Sequence, residues 1–259
     1  MTISDPGFNI TSPPVNGFVC CTRGSRIAVF NPTTGFMLTL PHVKANGREI
    51  YARSVRCDVH RKYVKQQEHL VLSLTSQFTG WRKIEITGDP YAYLEGGICI
   101  DGAIYYGVGH TKIARFDLRY EKMTFIQGPK DYNAISCYST LTNYEGKLAC
   151  VSYDSYCESN MRLWILQDAE KQEWSSIMTC VVPCDKEIYL CSGESPTNKV
   201  VMVSRCLKSS KHFFVYYFDM FRESIIRRME VEIDGMVDYE LRRPRILCFP
   251  GHFENLMYF

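Results

Sequence analysis

The stretch MRLWILQDAEKQEWSSIM, residues 161–178, is the one whose reading decides the fold. An apolar run (Met161, Leu163, Trp164, Ile165, Leu166) enters a polar turn at residues 167–172, and a second run leaves it at Trp174 and Ile177, the pattern of a β-hairpin with an aromatic at its exit. The same wording recurs as IAVFNPTTGFMLTL (27–40), IARFDLRYEKMTFI (113–126) and FFVYYFDMFRESII (213–226). With Asn31, Thr75, Asp117, Asp168 and Asp219 as equivalent turn positions, the successive separations are 44, 42, 51 and 51 residues. Six residues beyond each stands a large apolar residue: Met37, Trp81, Met123, Trp174 and Ile225. Strand-rich units repeating every ~40 to 50 residues are the signature of a β-propeller. The expectation is therefore an all-β, kelch-like propeller ring of about five to six four-stranded blades.

The turns between these runs carry their own chemistry. In Asn31-Pro32-Thr33-Thr34-Gly35, Pro presets φ and Gly supplies the positive φ of a tight reversal. Asp101-Gly102 between two apolar runs is a strong two-residue hairpin signal, and Glu145-Gly146 marks a second turn. Residues 1–16, rich in Pro, Ser, Thr and Asn, read as an irregular lead-in to a single domain over 17–259. A three-stranded meander follows at 17–22, 26–30 and 37–40, so the short N-terminus leaves room for an incomplete first blade. Closing the ring removes a sheet edge, which predicts that a terminal strand at 245–249 or 256–259 pairs near 17–22.

Composition narrows the function classes. Seventeen Tyr and fourteen Phe lean towards sheet, and a net charge of +2 offers a phosphate backbone no footprint, so nucleic acid is not expected as a partner. The short basic clusters at 60–62, 227–228 and 242–245 read as solvated strand edges or loops. The N-terminus has no apolar core of a signal peptide, so the twelve cysteines read as reduced thiols in the cytoplasm or nucleus. No apolar run approaches the ~20 residues of a membrane span, and no membrane partner is expected.

No catalytic, cofactor or metal residue emerges. The sequence contains no G-x-S-x-G, H-E-x-x-H or G-x-x-x-x-G-K-[ST] motif, and the glycines of residues 102–112 stand in the wrong order for a phosphate loop. Cys180 and Cys184, with Cys191 and His212 nearby in sequence, lack zinc-finger spacing, and most cysteines read as small buried hydrophobes. His42, His60, His69, His110, His212 and His252 share no motif. Asp117, Asp168 and Asp219 suit turn formation better than a shared metal site, since each follows its own strand. Trp81 and Trp174, at equivalent repeat positions, read as buried blade-to-blade packing rather than as a stacking platform together with Trp164.

Several stretches, in order, resemble a known family: residues 14–20 (PVNGFVC), 30–35 (FNPTTG), 81–84 (WRKI), 97–106 (GICIDGAIYY), 116–117 (FD), 163–174 (LWILQDAEKQEW) and 252–256 (HFENL). Together they resemble the plant F-box-associated interaction domain, type 3. The resemblance implies a protein-interaction module akin to the substrate-binding domain of Skp-cullin-F-box ubiquitin ligase receptors, with an unidentified target protein as partner. Before Pro14 there is no Leu-Pro-containing amphipathic run of an F-box, so docking of the Skp adaptor is not expected. Neither residues nor resemblance single out a protein-binding residue, and no cofactor is implied. The alternative reading is a propeller enzyme or carbohydrate-binding protein with its ligand in the central channel.

Overall fold

Along residues 161–166 the odd positions Met161, Leu163 and Ile165 are buried on one side of the strand, while Trp164 and Leu166 pack on the other. A strand that buries apolar side chains on both faces needs a neighbouring layer on each. That arrangement is present in the computed structural model, which describes residues 9–10, 17–23, 26–42, 69–72, 80–84, 93–108, 111–130, 134–135, 139–153, 160–181, 188–190, 199–204, 212–219, 222 and 224–232.

Among these residues there are four four-stranded sheets and one two-stranded sheet. The first sheet holds β1 (Asn9–Ile10), β2 (Val19–Arg23), β3 (Arg26–Phe30) and β4 (Met37–Thr39). The second pairs β5 (His69–Val71) with β6 (Arg82–Ile84). The third is built from β7 (Tyr93–Ile100), β8 (Ala103–Val108), β9 (Lys112–Asp117) and β10 (Lys122–Gln127). The fourth contains β11 (Thr140–Tyr144), β12 (Lys147–Tyr153), β13 (Asn160–Asp168) and β14 (Glu173–Val181). In the fifth are β15 (Ile188–Leu190), β16 (Lys199–Ser204), β17 (His212–Asp219) and β18 (Ser224–Glu232). Each four-stranded sheet is a meander in chain order, the blade of a β-propeller.

Two expectations about the N-terminus change. Residues 1–16 look irregular because they lack any apolar period, yet Asn9 and Ile10 pair antiparallel with Thr22 and Cys21. Backbone pairing needs no apolar side chain, and β1 covers an edge of β2 that would otherwise be open. The first blade is thereby four-stranded rather than incomplete. The predicted closing strands at 245–249 and 256–259 lie outside the described residues.

The core sits between blades. Ala149, Val151, Met161, Leu163 and Ile165 of the fourth sheet meet Met202 and Phe218 of the fifth. On the opposite face, Leu141, Leu148, Cys150 and Leu166 meet Ile98, Ile100, Ile113 and Ile126 of the third sheet, with Trp164, Trp174 and Tyr105 at the margin. The fifth sheet repeats this split: Phe218 and Tyr216 face the fourth sheet, while Phe213, Val215 and Tyr217 join a cluster on the other side.

Tight turns set the register. Asp101 (φ 46°) and Gly102 (φ 70°) both lie in the left-handed region, as the two-residue connection from Ile100 to Ala103 requires. Glu145 (φ 51°) and Gly146 (φ 81°) do the same between Tyr144 and Lys147.

Candidate functional site

The recurring turn between the third and fourth strands of a blade is a single device used four times. The Asp117 carboxylate accepts the amides of Arg119 (3.0 Å) and Tyr120 (3.1 Å), and Asp168 accepts those of Glu170 and Lys171, both at 2.9 Å. Asn31 Oδ1 accepts Thr33 N (3.0 Å) and Thr34 N (3.4 Å), and Asp219 accepts Arg222 N at 3.1 Å. The side-chain oxygen thus mimics a backbone acceptor and holds the chain in its reversal. Four residues after the capping residue the backbone is left-handed at Gly35 (φ 74°), Glu121 (φ 50°) and Gln172 (φ 58°). The corresponding turn at Thr75 lies outside the described residues.

These bonds explain the position of Asp117 on the proton scale. The Tyr120 amide first, then the Arg119 amide and the Arg115 guanidinium, hold its carboxyl below the usual range against the opposing push of burial. Because an amide oxygen accepts the same bonds, as Asn31 demonstrates, Asp168→Asn should leave stability nearly unchanged. Asp168→Ala should cost about 1 kcal/mol, read as a shift in urea midpoint. Equal losses for the two substitutions would contradict the capping role.

Between blades, the tryptophans of the repeat reach across. Trp174 Nε1 donates to the Gln127 carbonyl at the end of β10, and Trp81 Nε1 donates to the Pro41 carbonyl just beyond β4, both at 2.8 Å. The Gln127 amide in turn donates to Gln172 Oε1 (3.3 Å) in the turn before Trp174. Both residues bridge neighbouring sheets, but each is half-buried rather than buried, because its indole N–H bond lies in an exposed part of the interface. The Trp164 N–H instead bonds within its own sheet, donating to Ser152 Oγ at 3.2 Å, with the Arg162 guanidinium 5.3 Å from its ring centroid. A further link, an ion pair of Arg82 with Glu121 that uses both carboxylate oxygens, joins the second sheet to the third.

The other residues considered for chemistry do not converge. Among the described residues no group of three or more His, Cys, Asp or Glu could hold a metal ion. Asp117, Asp168 and Asp219 each stay with their own turn. Cys180 lies in β14 and His212 in β17, with His212 Nδ1 3.6 Å from Glu230, while Cys184 and Cys191 are outside the described residues. The glycine-containing stretch that begins at Gly102 becomes a hairpin turn and strand β8.

Cysteines 20, 21, 99 and 150 are free thiols, and Cys21 and Cys150 are buried. Burial, with Cys20 adding to it, pushes the Cys21 thiol up to about 11, and burial pushes Cys150 up to about 12. Cys150 donates to the Ala134 carbonyl at 3.1 Å. An unfolded thiol titrates near ~8.5, so the stabilisation tied to neutral Cys150 is complete below that pH and is lost as pH rises towards the folded value. Denaturation from pH ~8 to ~11 should therefore show a shallower loss of stability in Cys150→Ala than in the unsubstituted chain. Parallel pH profiles would sink this assignment.

With the blade geometry established, comparison with known proteins is direct. The family model of the F-box associated beta propeller domain matches residues 1–253. This chain belongs to that family. The F-box-associated domain is 32% identical to F-box protein At5g65850 of Arabidopsis thaliana over 270 aligned residues, covering 95% of this chain and 67% of that protein. It is 30% identical to the F-box protein DOR of the same plant, covering 97% of this chain and 70% of that one. A third Arabidopsis relative, F-box protein At1g30790, is 30% identical, covering 87% of this chain and 64% of its own length. The domain thus spans about two thirds of the length of these relatives. Among solved structures, the β-propeller domain of the trilobed protease from Pyrococcus furiosus aligns with a TM-score of 0.31 at 16% identity, over 56% of this chain and 45% of that one. A score that low carries no weight beside the family match.

Proposed function

We propose that this F-box-associated domain captures a target protein, in the manner of the substrate-binding portion of a Skp-cullin-F-box ubiquitin ligase receptor, and is not an enzyme. The observation that carries this reading is the family match across residues 1–253, together with relatives that are F-box proteins. The blade architecture agrees with it: tight turns ride on interlocked sheets, so a binding surface can be presented without a large ordering cost. Before Pro14 the sequence has no Leu-Pro-bearing amphipathic run, and docking of the Skp adaptor by these residues alone is not part of the proposed role. Action in the cytoplasm or nucleus fits that role. Neither nucleic acid nor membrane enters it: the net charge is +2, and among the described residues no helix is long and apolar enough to cross a membrane.

The test is affinity purification on the immobilised chain from plant tissue, with purified Skp adaptor added in a parallel experiment. Specific recovery of a protein that binds the purified chain directly, with no retention of the adaptor, is the expected result. Stoichiometric adaptor binding would overturn the docking statement. Failure of every recovered protein to bind the purified chain would overturn the capture role.

A further inference from the structure

The three copies of the capped turn whose tip residues are all described, in the first, third and fourth sheets, differ there in a way the turn itself does not require. Following the capping residue, the first sheet has Pro32, Thr33 and Thr34, and the fourth has Ala169, Glu170 and Lys171. The third has Leu118, Arg119 and Tyr120. The backbone bonds are the same in all three turns, so small or polar residues satisfy the geometry at these positions. Leu118 and Tyr120 are nevertheless 45% and 73% exposed, two of the three large hydrophobic residues exposed among the described residues. Leaving both apolar groups in water gains the fold nothing, which points to a use outside it.

The tip is also unusually well held. The Leu118 amide donates to the Gly102 carbonyl at 3.0 Å, tying this turn to the neighbouring Asp101-Gly102 turn. Arg115 Nη2 lies 3.0 Å from Asp117 Oδ2, and Glu121 is engaged by Arg82 of the adjacent sheet. Tyrosine and arginine are among the residues that dominate binding energy at protein interfaces, and on a rigid support little conformational freedom is lost on docking. Charge adds direction. Asp117 and Glu121 are neutralised by Arg115 and Arg82, whereas Arg119 and Lys122 are exposed and have no acidic partner among the described residues.

We propose that the turn at 117–122 is a docking surface for a protein partner whose acidic face carries an apolar pocket. Leu118 and Tyr120 would fill that pocket, and Arg119 and Lys122 would meet its acidic rim. This rests on the reading of the chain as a target-capturing module and names the surface by which it captures.

The experiment takes each protein recovered from plant tissue on the full chain, produces it recombinantly, and titrates it against the chain and its variants. For the partner of this surface, Tyr120→Ser should weaken binding about 30-fold or more, and Leu118→Ser should weaken it at least several-fold. Arg119→Glu should slow association, and affinity should fall as salt rises from ~50 to ~300 mM. Lys171→Ser, in the equivalent turn of the fourth sheet, should change nothing. Because the substituted side chains are exposed, thermal midpoints should stay within a degree or two. Tight binding that ignores all the 118–120 substitutions would overturn this surface while leaving the capture reading intact. Salt-independent binding would overturn the acidic partner. Absence of any direct binder would sink both, and loss of self-association in Tyr120→Ser, measured by sedimentation with no second protein bound, would assign the turn to contact between two copies of the chain.

Discussion

Phe218→Ala is expected to destabilise the domain by about 3 to 5 kcal/mol, the largest effect of any single truncation considered. Phe218 is fully buried on β17, and its ring lies in the cluster where Met202 joins Met161, Leu163 and Ile165 of the preceding blade. Removing the ring takes away its transfer energy and leaves a cavity between two sheets. Each sheet is braced by its own ladder, so the space cannot readily collapse. Urea denaturation should show a lower midpoint with an unchanged slope. The discriminating control is Phe214→Ala, four residues earlier on the same strand. Phe214 is half-buried under the Arg228 guanidinium, 3.7 Å from its ring centroid, and its loss should cost clearly less. Equal effects at the two positions would mean that the seam between the fourth and fifth sheets does not dominate stability.

The second large effect is expected at Trp174. Complete burial would put Trp174→Ala at ~3 to 5 kcal/mol. Half-burial lowers that to about 2 to 3 kcal/mol, divided between apolar contact with the interface of the third and fourth sheets and the bond to Gln127. Trp174→Phe separates the parts. It keeps most of the contact and removes the N–H, so it should cost about 1 kcal/mol. A phenylalanine variant as damaged as the alanine one would show that the bond, not the packing, carries the residue. Wild-type stability in both would remove Trp174 from the interface altogether.

What could be read from residues alone follows a physical boundary. Period-2 alternation, Asp-Gly pairs and a capping residue at each strand end are local signals, and the blades, the 101–102 hairpin and the turns at Asn31, Asp117, Asp168 and Asp219 were legible from them. Strand β1 was not, because Asn9 and Ile10 contribute backbone rather than an apolar pattern. The half-burial of Trp174 was also hidden, since it depends on where Gln127 of another blade ends. Within the turn at 117–122, the sequence showed the capping Asp117 but not that Leu118 and Tyr120 stand in solvent. In a strand-rich chain an apolar residue beside a turn reads as core. Only comparison of equivalent turns in the folded chain separates those the core uses from those it leaves outside.

The tryptophan fasteners carry a further consequence. Both end on a main-chain carbonyl, one belonging to a proline and the other to a glutamine. A peptide oxygen is offered by every residue type, so at this point the receiving blade's side chain is unconstrained. One blade can therefore be rewritten at its outer margin without a matching change in the next. A ring joined in this way keeps its mechanical unity while each blade remains free to acquire its own exposed lettering, as the third has done at Leu118 and Tyr120.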